Sequence, residues 1–317
     1  MKIKKFVLLN VLFSIILLTI LFLLSYLNLN YFSGYSSKFL MLDKNKNISK
    51  FEIVNLGSSH AYNGIEYPKD IKGYNFGLPS QKLYYDYKIL KKYVERLDRE
   101  AIVIIPISIF SFYDVLKTEN IDKNYAAFLK KDEILHIKYN EYFMLKYFSI
   151  TQPITRIFKI LEQIKLFIKN KKIENKIEAK MLNFEEKKKD SVIKARDHLK
   201  IEDKSSDLGI KQLGEIISLC FNKGYKPILI TTPFSYFYNE EIGKINYEKR
   251  IYENVNFLIK KNPEKKIIYL DYSHDKRFIN NLEYFSDSDH LNKKGAEHFT
   301  EILLKDIEKE LKNERKI

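Results

Sequence analysis

Hydrophobic positions along the chain fall into three patterns. The first is unbroken: no charged residue occurs from Phe6 to Ser37, and Phe6 to Leu27 is dense in Leu, Ile, Phe and Val. The second is a set of short apolar runs: Phe51–Leu56, the stretch around Tyr74, Ala101–Ile107, Lys226–Thr231 and Lys266–Asp271. Runs of this length closed by glycine or a turn read as strands buried on both faces. The third is helical. Leu83, Tyr87, Leu90 and Val94 recur at helix spacing within a helix predicted from Gln81 to about Leu97. Further helices are expected from Leu208 to about Asn222, stopping at Gly224, from about Asn246 to Lys261, and at the end of the chain to about Leu311. Strands and helices alternating in this order predict a mostly parallel five-stranded sheet covered on both sides, with strands near residues 53, 74, 103, 228 and 268.

Phe6 to Leu27 is long enough as a helix to cross a hydrocarbon core of about 30 Å. Its flank, Tyr26-Leu-Asn-Leu-Asn-Tyr31-Phe32, has no small-x-small cleavage site and carries tyrosines, which favour the membrane interface. The expectation is an uncleaved single-pass anchor at 6–27, with a cytoplasmic start at 1–5 (MKIKK), a juxtamembrane linker at 28–50, and an extracytoplasmic α/β domain at 51–317. Asp114 to Ser206 breaks the strand–helix alternation and reads as a helical insertion, with apolar residues Ile157, Ile160, Leu161, Ile164, Leu166 and Ile168 at helical spacing. Its lysine-rich part, Lys169 to Lys204, reads as a solvated face; the functional alternatives are a cap over a cleft or a surface for a membrane partner or an anionic polymer.

Lys and Arg number 55 against 41 Asp and Glu, a formal net charge of +14. No nucleic-acid partner is expected. The single cysteine, Cys220, excludes an internal disulfide, and no Cys/His metal motif or internal repeat is visible.

Candidate chemistry sits where strands end. Gly57-Ser58-Ser59-His60, four residues before Gly64, follows the first strand directly. A serine there presents its hydroxyl at the carboxyl edge of the sheet, with a helix N-terminus behind it. The same residues also suit an ordinary turn with a capping serine. Gly77 closes the second strand, and Ser108 follows the third. After the fifth strand comes Tyr284-Phe-Ser-Asp287-Ser288-Asp289-His290-Leu291-Asn292, with Asn292 placed to cap the last helix. A serine hydroxyl needs a base to become a nucleophile. Imidazole titrates near neutrality, and a carboxylate three residues earlier can bond its other nitrogen.

Gly57-Ser58-Ser59-(four residues)-Gly64, Gly77 and Asp287-x-x-His290 occur in the order and places that the SGNH (GDSL) hydrolases use, and the chain resembles that family over residues 51–114 and 208–311. The resemblance implies a three-layer, flavodoxin-like α/β fold with Ser59 as nucleophile, His290 as base and Asp287 as its orienting acid. It implies oxyanion donors at Ser59, Gly77 and Ser108, with Ser58 and His60 lining the cleft, and no cofactor or metal. The family's third block, Gly-x-Asn-Asp, is absent. Pro106-Ile107-Ser108-Ile109 stands in its place, which resembles the membrane-anchored DltD-like and polysaccharide O-acetylating branches. Those branches suggest an esterase or O-acyltransferase acting on a cell-envelope polymer, with a multispanning membrane acyltransferase as partner.

Two other readings stay open. One is a non-catalytic binding or assembly subunit of an envelope polysaccharide complex, favoured by the altered third block. The other is a metal-dependent hydrolase built from His274, Asp287, Asp289 and His290. His136, His198 and His298 read as structural or surface residues, and Asp289 lies off the Asp-x-x-His pattern.

Overall fold

The computed structural model describes residues 2–29, 35–45, 50–113, 115–119, 121–148, 181–200 and 207–314. Two compact units emerge: one of 1–48 with 118–178, the other of 49–117 with 179–317.

The second unit holds the sheet. Its strands are β1 (Phe51–Asn55), β2 (Gly73–Asn75), β3 (Leu97–Pro106), β4 (Lys226–Thr231) and β5 (Ile268–Asp271). All four pairings are parallel and the order is β2-β1-β3-β4-β5. This is the flavodoxin-like order, and the change of winding direction at β1 places a crevice beyond the carboxyl end of that strand. All five predicted strands are present. β3 starts earlier than the apolar run: Leu97 pairs with Phe51, and the register then shifts so that Ile102 pairs with Ile53. The predicted helix before it accordingly ends sooner, at Tyr93, followed by a 3-10 turn at Val94–Arg96.

α3 (Ser59–Gly64) and the final helix, here α10 (Lys293–Glu314), share one face of the sheet. Their core there joins Ile53, Ile104, Ile228 and Ile230 to Ala61, Ile65, Phe299, Leu303 and Ile307. Strand side chains alternate, so Val103, Ile105 and Leu229, all fully buried, point to the opposite face. That face is covered by α4 (Leu83–Tyr93), α7 (Asp207–Asn222) and α9 (Glu253–Lys261). α9 continues a helical run from Lys244 through a π-helical turn at Glu248–Tyr252. α8 (Tyr236–Ile242) follows β4.

α6 (Phe184–Leu199) belongs to this unit, although the sequence placed it in the insertion. Asn183 accepts from the Glu186 N–H and the Glu186 carboxylate accepts from the Asn183 N–H, a reciprocal cap. Just before it, the Leu182 N–H donates to the Ser286 carbonyl at 2.8 Å, tying the helix start to the loop after β5. The apolar run from Ile157 to Ile168 lies outside the described residues.

Among the described residues, the first unit contains α1 (Lys2–Leu27), α2 (Ser36–Lys44), two 3-10 turns and α5 (Tyr139–Tyr147). Phe39 of α2 stacks on Phe128 at 4.1 Å, and His136 donates its N–H to Asp122 at 2.9 Å. α1 is long and apolar enough to cross a membrane over Ile3–Leu27. Most of its side chains are exposed, Ser25 being buried, and three of its polar ones bond back one turn: Asn10 to the Phe6 carbonyl, Ser14 to Asn10 and Thr19 to Ile15. Such a helix exposes no unsatisfied polar group to an apolar solvent.

Candidate active site

The turn after β1 is held from three sides. Gly57 takes φ +106°, and a Cβ there would stand 3.0 Å from the Pro106 ring and 3.1 Å from Ala61. No other residue adopts that conformation in that space without strain. Its N–H donates to Asp86 Oδ1 at 2.7 Å and its carbonyl accepts from the Leu78 N–H at 3.1 Å. Asp86 also accepts from the Gln81 amide at 2.6 Å; burial pushes its pKa up to about 6 against these two bonds. The result is a rigid strand-to-helix turn with Ser59 as the first residue of α3.

The opposing loop is equally determined. Phe285 and Leu291 form an antiparallel bridge, and Ser286 donates its N–H to the His290 carbonyl at 2.9 Å. Asp287 Oδ1 accepts from the N–H groups of Asp289 (3.1 Å) and His290 (2.8 Å), folding the loop back on itself. Asn292 caps α10, its Oδ1 accepting from the Gly295 N–H at 2.9 Å, as the sequence suggested.

These two loops bring together residues 231 positions apart. Ser59 Oγ lies 2.8 Å from His290 Nε2, and His290 Nδ1 lies 2.9 Å from Asp287 Oδ2. Burial opposes charge on His290, but the Asp289 and Asp287 carboxylates outweigh it and push the imidazole pKa up to about 10. Both carboxylates are held below their usual range: burial works against ionisation, and the adjacent His290 more than offsets it.

Asp289 proves to be a central residue rather than a bystander. It is 1% exposed, its Oδ2 lies 2.9 Å from His60 Nε2, and its Oδ1 lies 2.5 Å from Lys194 Nζ. Lys194 also stands 2.7 Å from Asp287 Oδ2, 3.4 Å from Asp190 Oδ2 and 3.2 Å from His290 Nδ1. The Asp190 carboxylate accepts in turn from the Ser288 N–H and hydroxyl at 3.0 and 2.7 Å. The three carboxylates could otherwise resemble a cation site, but the Lys194 ammonium already stands among them. His274 joins neither of the candidate metal groupings among the described residues; its ring packs on Tyr247 at 4.7 Å.

His60 and Ser108 are not where a cleft-lining residue and an oxyanion donor would be. His60 is 3% exposed and stacks on the His290 ring at 4.8 Å, with Phe234 edge-on at 5.0 Å. Burial lowers its pKa against the pull of Asp289 and so favours the neutral ring. With Nε2–H donated to Asp289, its Nδ1 accepts from the Ser108 hydroxyl, 3.2 Å away. Ser108 is therefore a support under the site. The Gly77 N–H also has a partner, Asn75 Oδ1 at 2.9 Å, and the same Asn75 side chain donates to the Ala61 and Ile65 carbonyls. Ser58 is 7% exposed and starts α3, its carbonyl accepting from Ala61 and Tyr62. The Ser59 N–H lies in the first turn of α3, where helix geometry supplies no internal acceptor.

Sequence reasoning missed Lys194, Asp190 and the part played by Asp289. His198, read as structural or surface, lies close by: its ring is 5.0 Å from Phe110 and its Nδ1 is 2.6 Å from the Tyr238 hydroxyl. Burial lowers its pKa to about 4. One signal was available. Lys187, Asp190, Lys194 and His198 recur every three or four residues, a polar stripe on one face of α6. That stripe faces the site loop; Lys187 Nζ donates to the Leu282 carbonyl at 2.8 Å. The reading of this stretch as solvated is corrected there.

No protein-family model matches the chain, and no curated protein matches it. Among solved structures, a Bacteroides fragilis protein described as a candidate acylhydrolase aligns over 85% of this chain and 94% of its own, with 13% identity and a TM-score of 0.40. So distant a likeness decides nothing about activity.

Proposed function

We propose that this protein is a membrane-anchored serine enzyme of acyl transfer. One observation carries the reading: the Ser59 hydroxyl, the His290 ring and the Asp287 carboxylate line up at 2.8 and 2.9 Å on two rigid loops at the carboxyl edge of a parallel sheet. In the proposed reaction Ser59 Oγ attacks an ester carbonyl carbon and its proton passes to His290 Nε2. Negative charge collects on the carbonyl oxygen, for which the Ser59 N–H is the nearest donor the turn supplies. The Gly77 N–H can assist only by leaving Asn75. The same imidazolium then protonates the departing alcohol, and an acceptor hydroxyl releases the acyl group from Ser59. Water or a sugar hydroxyl fits that last step. With α1 as an anchor and a net charge of +14, an anionic envelope polymer is the favoured acceptor. A multispanning membrane acyltransferase would be the source of acyl groups.

A second reading has its own support. Gly77 and Ser108 are both engaged elsewhere, which leaves the oxyanion poorly served and suits a non-catalytic assembly subunit. A fluorophosphonate probe separates the two. The enzyme reading expects one stoichiometric adduct, mapped to Ser59; a chain that stays unlabelled while folded sinks it.

The site also sets a pH dependence. His290 accepts the serine proton only when neutral, and its carboxylate neighbours hold its pKa up to about 10. Activity is therefore expected to keep rising with pH well beyond the range of an ordinary histidine, roughly 6.5. Lys194, 3.2 Å from Nδ1, opposes the imidazolium. Lys194→Gln keeps hydrogen-bond donors and removes that cation, so the rise in kcat/KM should move to still higher pH. A profile that levels off near neutrality in both forms contradicts the account.

A further inference from the structure

α5 turns outward the side chains that a water-facing helix would bury. Tyr139, Phe143 and Tyr147 succeed one another every fourth residue with Met144 beside them, and they are 78%, 52%, 41% and 41% exposed. Asn140 is the polar member of that face. The opposite side carries Leu145, which is buried, and Tyr142, whose hydroxyl donates to the Leu129 carbonyl at 3.0 Å and accepts from Lys146 at 2.9 Å. Aromatic and apolar side chains thus occupy an outward face that a surface helix in water would give to polar ones.

This face continues the apolar helix. The Phe143 ring is 4.9 Å from Tyr147 and 6.2 Å from Phe148, and Phe148 meets Phe22 of α1 edge-on at 6.2 Å. Phe22 lies one turn before Tyr26. The Tyr26 hydroxyl accepts from Lys44 at 3.0 Å, with the Lys44 ammonium 4.7 Å from its ring. A tyrosine–lysine pair at the end of an apolar span marks the headgroup level. A line of rings therefore runs from the last turns of α1, near that level, onto the exposed face of α5.

We infer that Tyr139, Phe143, Met144 and Tyr147 of α5 lie in the headgroup–acyl boundary of the bilayer that α1 crosses. The inference rests on the proposal that α1 spans a membrane. α5 is then a second, shallow attachment, lying flat where α1 passes through. Aromatic rings and methionine suit that layer, about 5–10 Å deep, and Lys138 and Lys146 on the flanks can reach the headgroups.

The chain has no tryptophan, so one substitution supplies a sole indole reporter. The full-length Phe143→Trp and Phe22→Trp forms are reconstituted separately in phosphatidylcholine–phosphatidylglycerol vesicles, with and without bromine on the upper acyl chain. N-acetyltryptophanamide in the same vesicles gives the zero of the scale. Phe22→Trp is expected to be quenched, and Phe143→Trp to lose roughly half of its emission to the bromolipid and to emit at shorter wavelength than in water. If Phe22→Trp is quenched but Phe143→Trp emits as in water and responds only to aqueous iodide, the face is solvated and the inference is wrong. If Phe143→Trp is blue-shifted yet answers neither quencher, protein covers it, a second copy or another chain, and the inference is equally wrong. If Phe22→Trp itself escapes the bromolipid, the anchor reading fails first and takes this one with it.

Discussion

Ser59→Ala is expected to abolish hydrolysis of a small activated ester, with a loss on the order of 10⁵ to 10⁶ in kcat, because among the described residues Ser59 is the hydroxyl that His290 Nε2 contacts. Ser58 is adjacent but buried at the start of α3, and Ser108 is committed to His60. His290→Ala should do nearly as much harm, since the hydroxyl then lacks its base. The double variant should be little worse than either single one, because the pair acts as a unit. The measurement is kcat on an aryl ester alongside probe labelling. Full turnover by Ser59→Ala would remove the serine mechanism.

Asp289→Asn carries the second large effect, and it falls mainly on stability. The Asp289 carboxylate, itself buried, receives Lys194 and the buried His60. Removing one partner of a fully buried ion pair costs roughly 3–5 kcal/mol; Lys194 is partly exposed and keeps Asp287 and Asp190, so the cost here should fall toward the lower end of that range. Asparagine also turns a donor toward His60 Nε2–H or toward Lys194, which have none of the lone pairs it needs. A large fall in Tm is therefore expected together with lost activity. Asp287→Asn is the comparison. That carboxylate is partly exposed and, in the proposed mechanism, orients His290, so its substitution should lower kcat by about 10³ to 10⁴ with a smaller change in Tm. The sign with pH follows from the same cluster. Asp289 ionises well below its ordinary range, so its contribution is present above the unfolded carboxylate pKa, about 3.9, and is lost as the pH falls below it. An unchanged Tm for Asp289→Asn at neutral pH would overturn this picture.

The sheet could be read from the chain because each strand announces itself locally. Phe51–Leu56, Ala101–Ile107 and Lys226–Thr231 are apolar runs of strand length, and strands buried on both faces need no alternation. The helices between them carry their own period. With short connections and right-handed crossovers, few orders of parallel strands remain, and β2-β1-β3-β4-β5 is the common one. The positions of Gly57-Ser58-Ser59 and Asp287-x-x-His290 were legible for a similar reason. Turn glycines, a capping Asn292 and strand ends are local events, and the sheet's parallel direction puts all such ends on one edge.

What each of those residues touches was not legible. Local patterns say which residues lie near a strand end, but not which charge will meet which. His60 reaches Asp289 across 229 positions and Lys194 reaches it across 95. Asp289 looked incidental because it misses a spacing, and α6 looked solvated because it is rich in lysine. Their burial depends on Leu182 pairing with Ser286, which docks α6 against the loop after β5. Gly77 and Ser108 matched by position, yet Asn75 and His60, placed by the packing of three strand ends, had claims on their donors. The sequence alone determined the five strands, most of the helices and the edge where the chemistry stands, because backbone periodicity and turn chemistry act over a few residues. The partners, protonation states and buried charges of the site were decided by tertiary structure alone, since electrostatic energies depend on distances of a few ångströms that exist only once the chain has closed.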